Sequence, residues 1–155
     1  MQRIFSLLLF VVLLSVSLQT NAQHKNISEI KHINYSENVN KPLTNVELAM
    51  INEVYGDQTE EYVLKNSNFL KNIKNILRNR VEIMELDNKD LSSFKTLSSV
   101  PLIKAFNSSI LRDNVFNPKT FNPLKYDFNF NSRDLIKYYR VDNTNYLIVI
   151  HSQYQ

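Results

Sequence analysis

No cysteine occurs anywhere in the 155-residue chain, so no disulfide staples it. A lipobox-type lipid anchor is excluded with it, because that anchor needs a cysteine directly after an export signal and Gln23 stands there. Glycine is nearly as scarce. The one glycine, Gly56, rules out the glycine-rich loops that cradle phosphates, such as GxxxxGK[ST] or GxGxxG. Charge of one sign is lacking too: 18 basic side chains face 15 acidic ones. That excess is too mild for nucleic acid, which calls for a strongly basic stripe. The three histidines, His24, His32 and His151, are scattered, whereas a metal centre needs clustered ligands. Beyond the first 18 residues no run is long and apolar enough to span a membrane.

The apolar run that does exist sits at the start. Arg3 gives a positive beginning, Ile4 to Leu14 is apolar over about 11 residues, and small and polar residues follow to Thr20-Asn21-Ala22, the layout of a secretory signal. Counted generously to Leu18, the run is roughly 15 residues, short of the ~20 a spanning helix needs. The sequence therefore predicts a signal over residues 1–22, cleaved near Ala22, and a product that is periplasmic or secreted. A polar arm over 23–41 and a single α+β domain over 42–155 follow. About 130 residues remain after cleavage, one domain's worth and enough to bury a core without staples.

The domain should begin with helices. Thr44 and Glu47 have capping-box spacing, flanked by Leu43 and Leu48 at the two staple positions. Val46, Met50, Ile51 and Val54 form an apolar stripe that Gly56 can end, predicting a helix over 45–55. A shorter helix is expected over 59–66, capped by Asp57 or Thr59. Ser67 is expected to cap a third helix, whose residues Phe69, Leu70, Ile73, Ile76 and Leu77 lie on one face and which ends near Arg80. The period then changes: Val81–Leu86 reads as a strand turning at Asp87-Asn88. Short helices are expected over 90–98 and, opened by Pro101, over 101–107. Two Asn-Pro steps between Phe116 and Pro123 favour turns.

Strand patterns dominate the end of the chain. Tyr126, Phe128 and Phe130 alternate with Lys125, Asp127 and Asn129, so one face should be buried and the other wet. Leu135–Val141 and Asn145–Ser152 read as strands joined by a turn at Asp142-Asn143-Thr144. Tyr146–Ile150 is apolar on both faces and should lie centrally. The order predicts an α+β fold, with three to five N-terminal helices packed on one face of a C-terminal antiparallel sheet built as a meander or hairpin.

Three stretches carry a resemblance: TNVELAMINEVYG (44–56), FLKNIKNILRNR (69–80), and 121–150 with FNPLKY and YRVDNTNYLIVI inside it. Together with the Asn21-Ala22-Gln23 junction, the chain resembles a family of short exported proteins of Bacteroidetes-type (flavobacterial-like) bacteria. The resemblance implies export and brings no activity, cofactor or site residue.

Candidate chemistry is sparse. His151 is the only imidazole in the predicted domain, and no glycine-flanked serine elbow accompanies it. Glu82, Glu85, Asp127 and Asp134 are acids that a fold could pair, though nothing selects a pair. Lys71, Lys74 and Arg78 share the polar face of the helix ending at Arg80, flanked by Lys65 and Arg80, and could meet an anionic lipid, polysaccharide or acidic protein. The plainer reading is a solvated face suited to a helix C-terminus. Tyr126, Phe128, Phe130, Tyr138, Tyr139 and Tyr146 invite a glycan platform, with Tyr138 the most exposed, but strand aromatics are usually core. A third reading has Tyr126–Phe130 as a sheet edge that a partner completes. The sequence points to a non-catalytic binding or accessory protein of the cell envelope, monomeric or weakly associating, without cofactor. The alternative is a small secreted hydrolase or inhibitor. Expressed with its leader in a Gram-negative host, the chain is expected outside the cytoplasm with Gln23 as its first residue. N-terminal sequencing checks this, and an unprocessed chain in the membrane fraction would overturn it.

Overall fold

Thr44 starts the first helix as its spacing requires. Its Oγ1 accepts from the Glu47 N–H at 3.2 Å while the Glu47 carboxylate accepts from the Thr44 N–H at 2.8 Å, closing the capping box over helix α1, Asn45–Tyr55. A computed structural model describes residues 33, 35–87, 89–132 and 136–154. The predicted signal, most of the arm, Asn88, Asp134 and Leu135 lie outside the described residues. Ile51 and Val54 are buried, whereas Val46, assigned to the same stripe, is 57% exposed. Gly56 ends α1 at φ +51°, a backbone region that costs glycine little.

A tight turn, Gly56–Gln58, leads into a widened π-type turn, Thr59–Leu64, where a regular helix was expected; no side chain caps it. Helix α2, Ser67–Asn75, is capped by Asn66, one residue before the expected Ser67, through Oδ1 accepting from the Phe69 N–H at 3.0 Å. The helical path runs on as a second π-type turn, Ile76–Arg80. Its apolar face is as predicted. Ile73 and Ile76 join Ile51, Val54, Val63 and Leu124 in one hydrophobic cluster, with Phe69, Leu70 and Leu77 packed against it.

Four strands form one sheet in the order β1-β4-β3-β2: β1 is Val81–Glu85, β2 Lys95–Thr96, β3 Lys137–Arg140 and β4 Tyr146–Ile150. β4 lies between β1 and β3 and pairs antiparallel with both, matching Ile148 to Ile83 on one side and Tyr139 on the other. Its apolar character on both faces fits this central place. The β3–β4 turn places Asn143 at φ +56°, a conformation asparagine tolerates. β2 pairs parallel with β3, so the sheet is mixed, and the α+β class holds with that amendment.

Both helices expected between β1 and Phe116 are absent, for identifiable reasons. Asp90 accepts from the Ser92 N–H at 2.8 Å, and Asp142 accepts from the Ser98 N–H at 3.0 Å and its hydroxyl at 2.7 Å. These side chains compete with a helical ladder. Past Pro101 the backbone pairs with a distant partner instead: Ile103 N–H donates to the Lys125 carbonyl and Asp127 N–H to the Pro101 carbonyl, each at 2.8 Å. Tyr126 and Phe128 are buried as predicted, but their run pairs with 101–103 through a single bridge and lies outside the sheet. The open sheet edges are β1 and β2. Phe121, Tyr126 and Phe128 cover Ile148 and Ile150 in a second cluster, and Val81, Leu102 and Phe130 touch both clusters.

The segment read as an arm contributes structure at its end. Glu37–Asn40 forms a 3-10 turn that buries Val39. Arg78 holds it in place, donating to Glu47 at 2.5 and 2.7 Å and to the carbonyls of Asn38, Lys41 and Pro42. The Arg78 hydrogen bonds keep the Glu47 carboxyl down at about 2, against an ordinary 4.5. A carboxyl depressed in the fold contributes stability that is complete above its unfolded value and lost as pH falls through its folded value. Glu47→Gln should therefore cost about 2–3 kcal/mol at pH 7. Wild type should also lose more stability than the variant between about pH 4.5 and 2. Urea titrations across that range check it, and parallel pH profiles would refute the coupling.

Candidate functional site

The cations of α2 do not stand together in solvent. Lys74 is 9% exposed and donates to the Lys41 carbonyl at 2.8 Å. Arg78 is committed to Glu47 and the 38–42 backbone, and Lys71 sits 4.6 Å from the centre of the Tyr35 ring. The helix carries no acid on that face, but α1 supplies Glu47. Lys65 pairs with Glu61 in solvent. The trio Lys71, Lys74 and Arg78 thus faces mainly inward, toward residues 35–42.

The aromatic set divides in the same way. Tyr126 and Phe128 are core, and Phe130, Tyr139 and Tyr146 pack against it. Tyr138 is exposed, 5.5 Å from Phe94, along an open groove that also meets Lys95 and Asp127. Of the acids, Glu82 pairs with His151 Nε2 at 3.0 Å, Glu85 accepts from Asn145, and Asp127 accepts from the Asn129 N–H. Each has its own partner.

Two buried cations were not singled out by pattern. Lys125, expected on a wet face, is 2% exposed and pairs with Glu53 at 2.9 Å and Asp113 at 2.7 Å. Burial alone pushes its pKa down, but the hydrogen bonds from Asp113 and Glu53 more than offset that and raise it. An amine held charged between two carboxylates is a poor nucleophile or base. Asn122 completes the join: its Nδ2 donates to the Met50 carbonyl at 2.8 Å and to Glu53 at 2.9 Å, while its Oδ1 caps the turn Pro123–Lys125. This is how FNPLKY ties to α1, and its work is structural.

Arg80 is different. It is 5% exposed, and none of the ion pairs among the described residues includes it. Nε donates to the His151 carbonyl at 3.1 Å and Nη2 to the Phe130 carbonyl at 2.8 Å, but among the described residues Nη1 meets only Gln153 Oε1 at 3.5 Å. Burial pushes its pKa below the ordinary arginine value, with the phenols of Tyr154 and Tyr35 opposing. A desolvated charge lacking a counter-charge is costly.

This guanidinium lines a pocket of about 200 Å³. Tyr35 and Ser36 approach from the N-terminal side, Asn75 and Asn79 from the helical run, and Ser152 and Gln153 from beyond β4. Asn79 is fastened to Asn38 by a reciprocal amide pair at 2.7 and 3.0 Å and donates to Asn75 Oδ1 at 2.9 Å. That leaves the Asn75 Nδ2 hydrogens without an acceptor among the described residues, on a side chain 6% exposed. Among the described residues the pocket lining holds no carboxylate, imidazole or lysine. Its buried, under-used groups are donors, Arg80 and Asn75, so its chemistry is that of holding an oxygen-rich anion. In sequence Arg80 looked like one more flanking charge; its one distinguishing sign was its place at the switch from helix to strand.

Removing the buried amine by Lys125→Ala should destabilise the fold by about 3 kcal/mol, and a loss below about 1 kcal/mol in urea unfolding would show that the cluster is not a staple. Compared with protein-family models, curated proteins and solved structures, the chain matches none.

Proposed function

We propose that the chain is an exported, non-catalytic binding protein of the cell envelope that holds a small anion in the Arg80 pocket. One observation carries this reading: a guanidinium taken out of water faces a polar pocket with no counter-charge among the described residues. An anion supplies what the fold withholds, and two donors nine-tenths buried, Arg80 and Asn75, are in place to receive it. The hydrolase alternative finds less support, because the pocket brings together hydroxyls and amides without a base to activate either. Export rests on the leader read from residues 1–22.

A ligand that binds the folded state raises its stability in proportion to the logarithm of its concentration. Acetate and inorganic phosphate, titrated at constant ionic strength, should each raise the melting temperature and shift the side-chain amide resonances of Asn75 and Asn79. Arg80→Gln should abolish both responses. Because Arg80 also holds two backbone carbonyls, Asn75→Ala serves as the companion variant and should weaken the response without unfolding the chain. Resonances that ignore every anion would sink the proposal.

A further inference from the structure

We infer that the Arg80 pocket takes a hydroxylated monocarboxylate of single-ring size, a sugar acid, rather than phosphate or a polyanion; this rests on the reading of the pocket as an anion site. Charge comes first. One guanidinium offers one positive charge, and the described pocket lining contains no second cation. Arg80 also closes the helical path from Ser67, where the outward carbonyls make the end of a helix partially negative. A second negative charge on the ligand would meet no further cation in the described lining. A single carboxylate matches the planar fork of a guanidinium, which binds it through two parallel N–H donors.

The rest of the lining selects what the carboxylate is attached to. Asn75 offers donors, Gln153 an amide, and Ser36 and Ser152 hydroxyls, while Tyr35 is the one aromatic ring. Ser36 Oγ already donates to Asn38 Oδ1 at 2.9 Å, and Ser152 Oγ accepts from the Tyr154 N–H at 3.1 Å. Each therefore keeps hydrogen-bonding capacity on the complementary side. Facing an aliphatic chain, the buried Asn75 donors would stay unsatisfied at a cost, whereas ring hydroxyls satisfy them. Size fits as well. A volume of about 200 Å³ gives room for a single sugar ring with its substituents.

The test is calorimetric titration of the mature chain with glucuronate, glucose, acetate and inorganic phosphate. Glucuronate should bind at least tenfold more tightly than any of the other three. Arg80→Gln should remove the preference over glucose, and Asn75→Ala should weaken glucuronate several-fold and acetate by a smaller factor. Should Arg80→Gln fail to fold, Gln153→Ala, which touches only Nη1, takes its place and should alter glucuronate affinity without loss of structure. Methyl β-glucuronide separates two sources of the same chemistry: retained affinity assigns the pocket to a chain end, lost affinity to the free acid. Acetate equal to glucuronate, or phosphate tighter than it, would overturn the inference while leaving an anion site. Glucose equal to glucuronate would overturn it together with the role of charge. Silence from all four ligands would overturn the anion site itself.

Discussion

Arg78 and Arg80 stand two residues apart at the end of one helical path, and both are withdrawn from water under opposite terms. Arg78 meets Glu47, whose other hydrogen bond closes the capping box of α1. One carboxylate thereby starts a helix and anchors the chain before it. Arg80 meets backbone carbonyls from 50 and 71 residues away. It clasps the end of β4 and the loop at Phe130, and no carboxylate among the described residues pairs with it. Two positions along a helical or π-type turn point to nearly opposite sides. One residue thus looks toward the helices and the other toward the sheet and the pocket.

The pocket is a consequence of that clasp. β1 begins at Val81, directly after Arg80, and pairs with β4 so that Val81 faces Ile150. His151 N–H then donates to the Arg80 carbonyl at 2.8 Å, and Ser152 and Gln153 follow past the end of the sheet. The 3-10 turn at Glu37–Asn40 brings Tyr35 and Ser36 to the other side, through Asn38 and its amide pair with Asn79. Asparagine-rich composition, chemically bland when read along the chain, becomes specific here. Asn38, Asn75 and Asn79 form a fixed array that leaves both Nδ2 hydrogens of the buried Asn75 unused among the described residues.

Two of the buried cations, Lys125 and Arg80, also separate structure from function. Lys125 has two carboxylates and two roles as a tie, to α1 through Glu53 and to the loop at Asp113. Its charge is matched within the fold. Arg80 has donors to spare and a cavity beside them. A saturated buried charge holds a fold together, whereas an unsaturated one calls for a partner.

Local chemistry was legible in the sequence. The capping box at Thr44, the apolar face of α2, the exit at Gly56, the turn at Asp142–Thr144 and the central place of Tyr146–Ile150 each depend on residues a few positions apart. A periodicity or a turn encodes such features directly. The parallel pairing of β2, the extended path after Pro101, the burial of Lys125 and the inward turn of Lys74 and Arg78 were decided by tertiary structure. Each was settled by a partner far along the chain, as the Pro101–Ile103 pairing with Lys125–Asp127 shows. The candidate site belongs wholly to the second group. An arginine at the end of a helix looks alike in sequence whether it is solvated, paired or stranded. Its free energy depends on how much water and how many opposing charges the finished fold leaves around it.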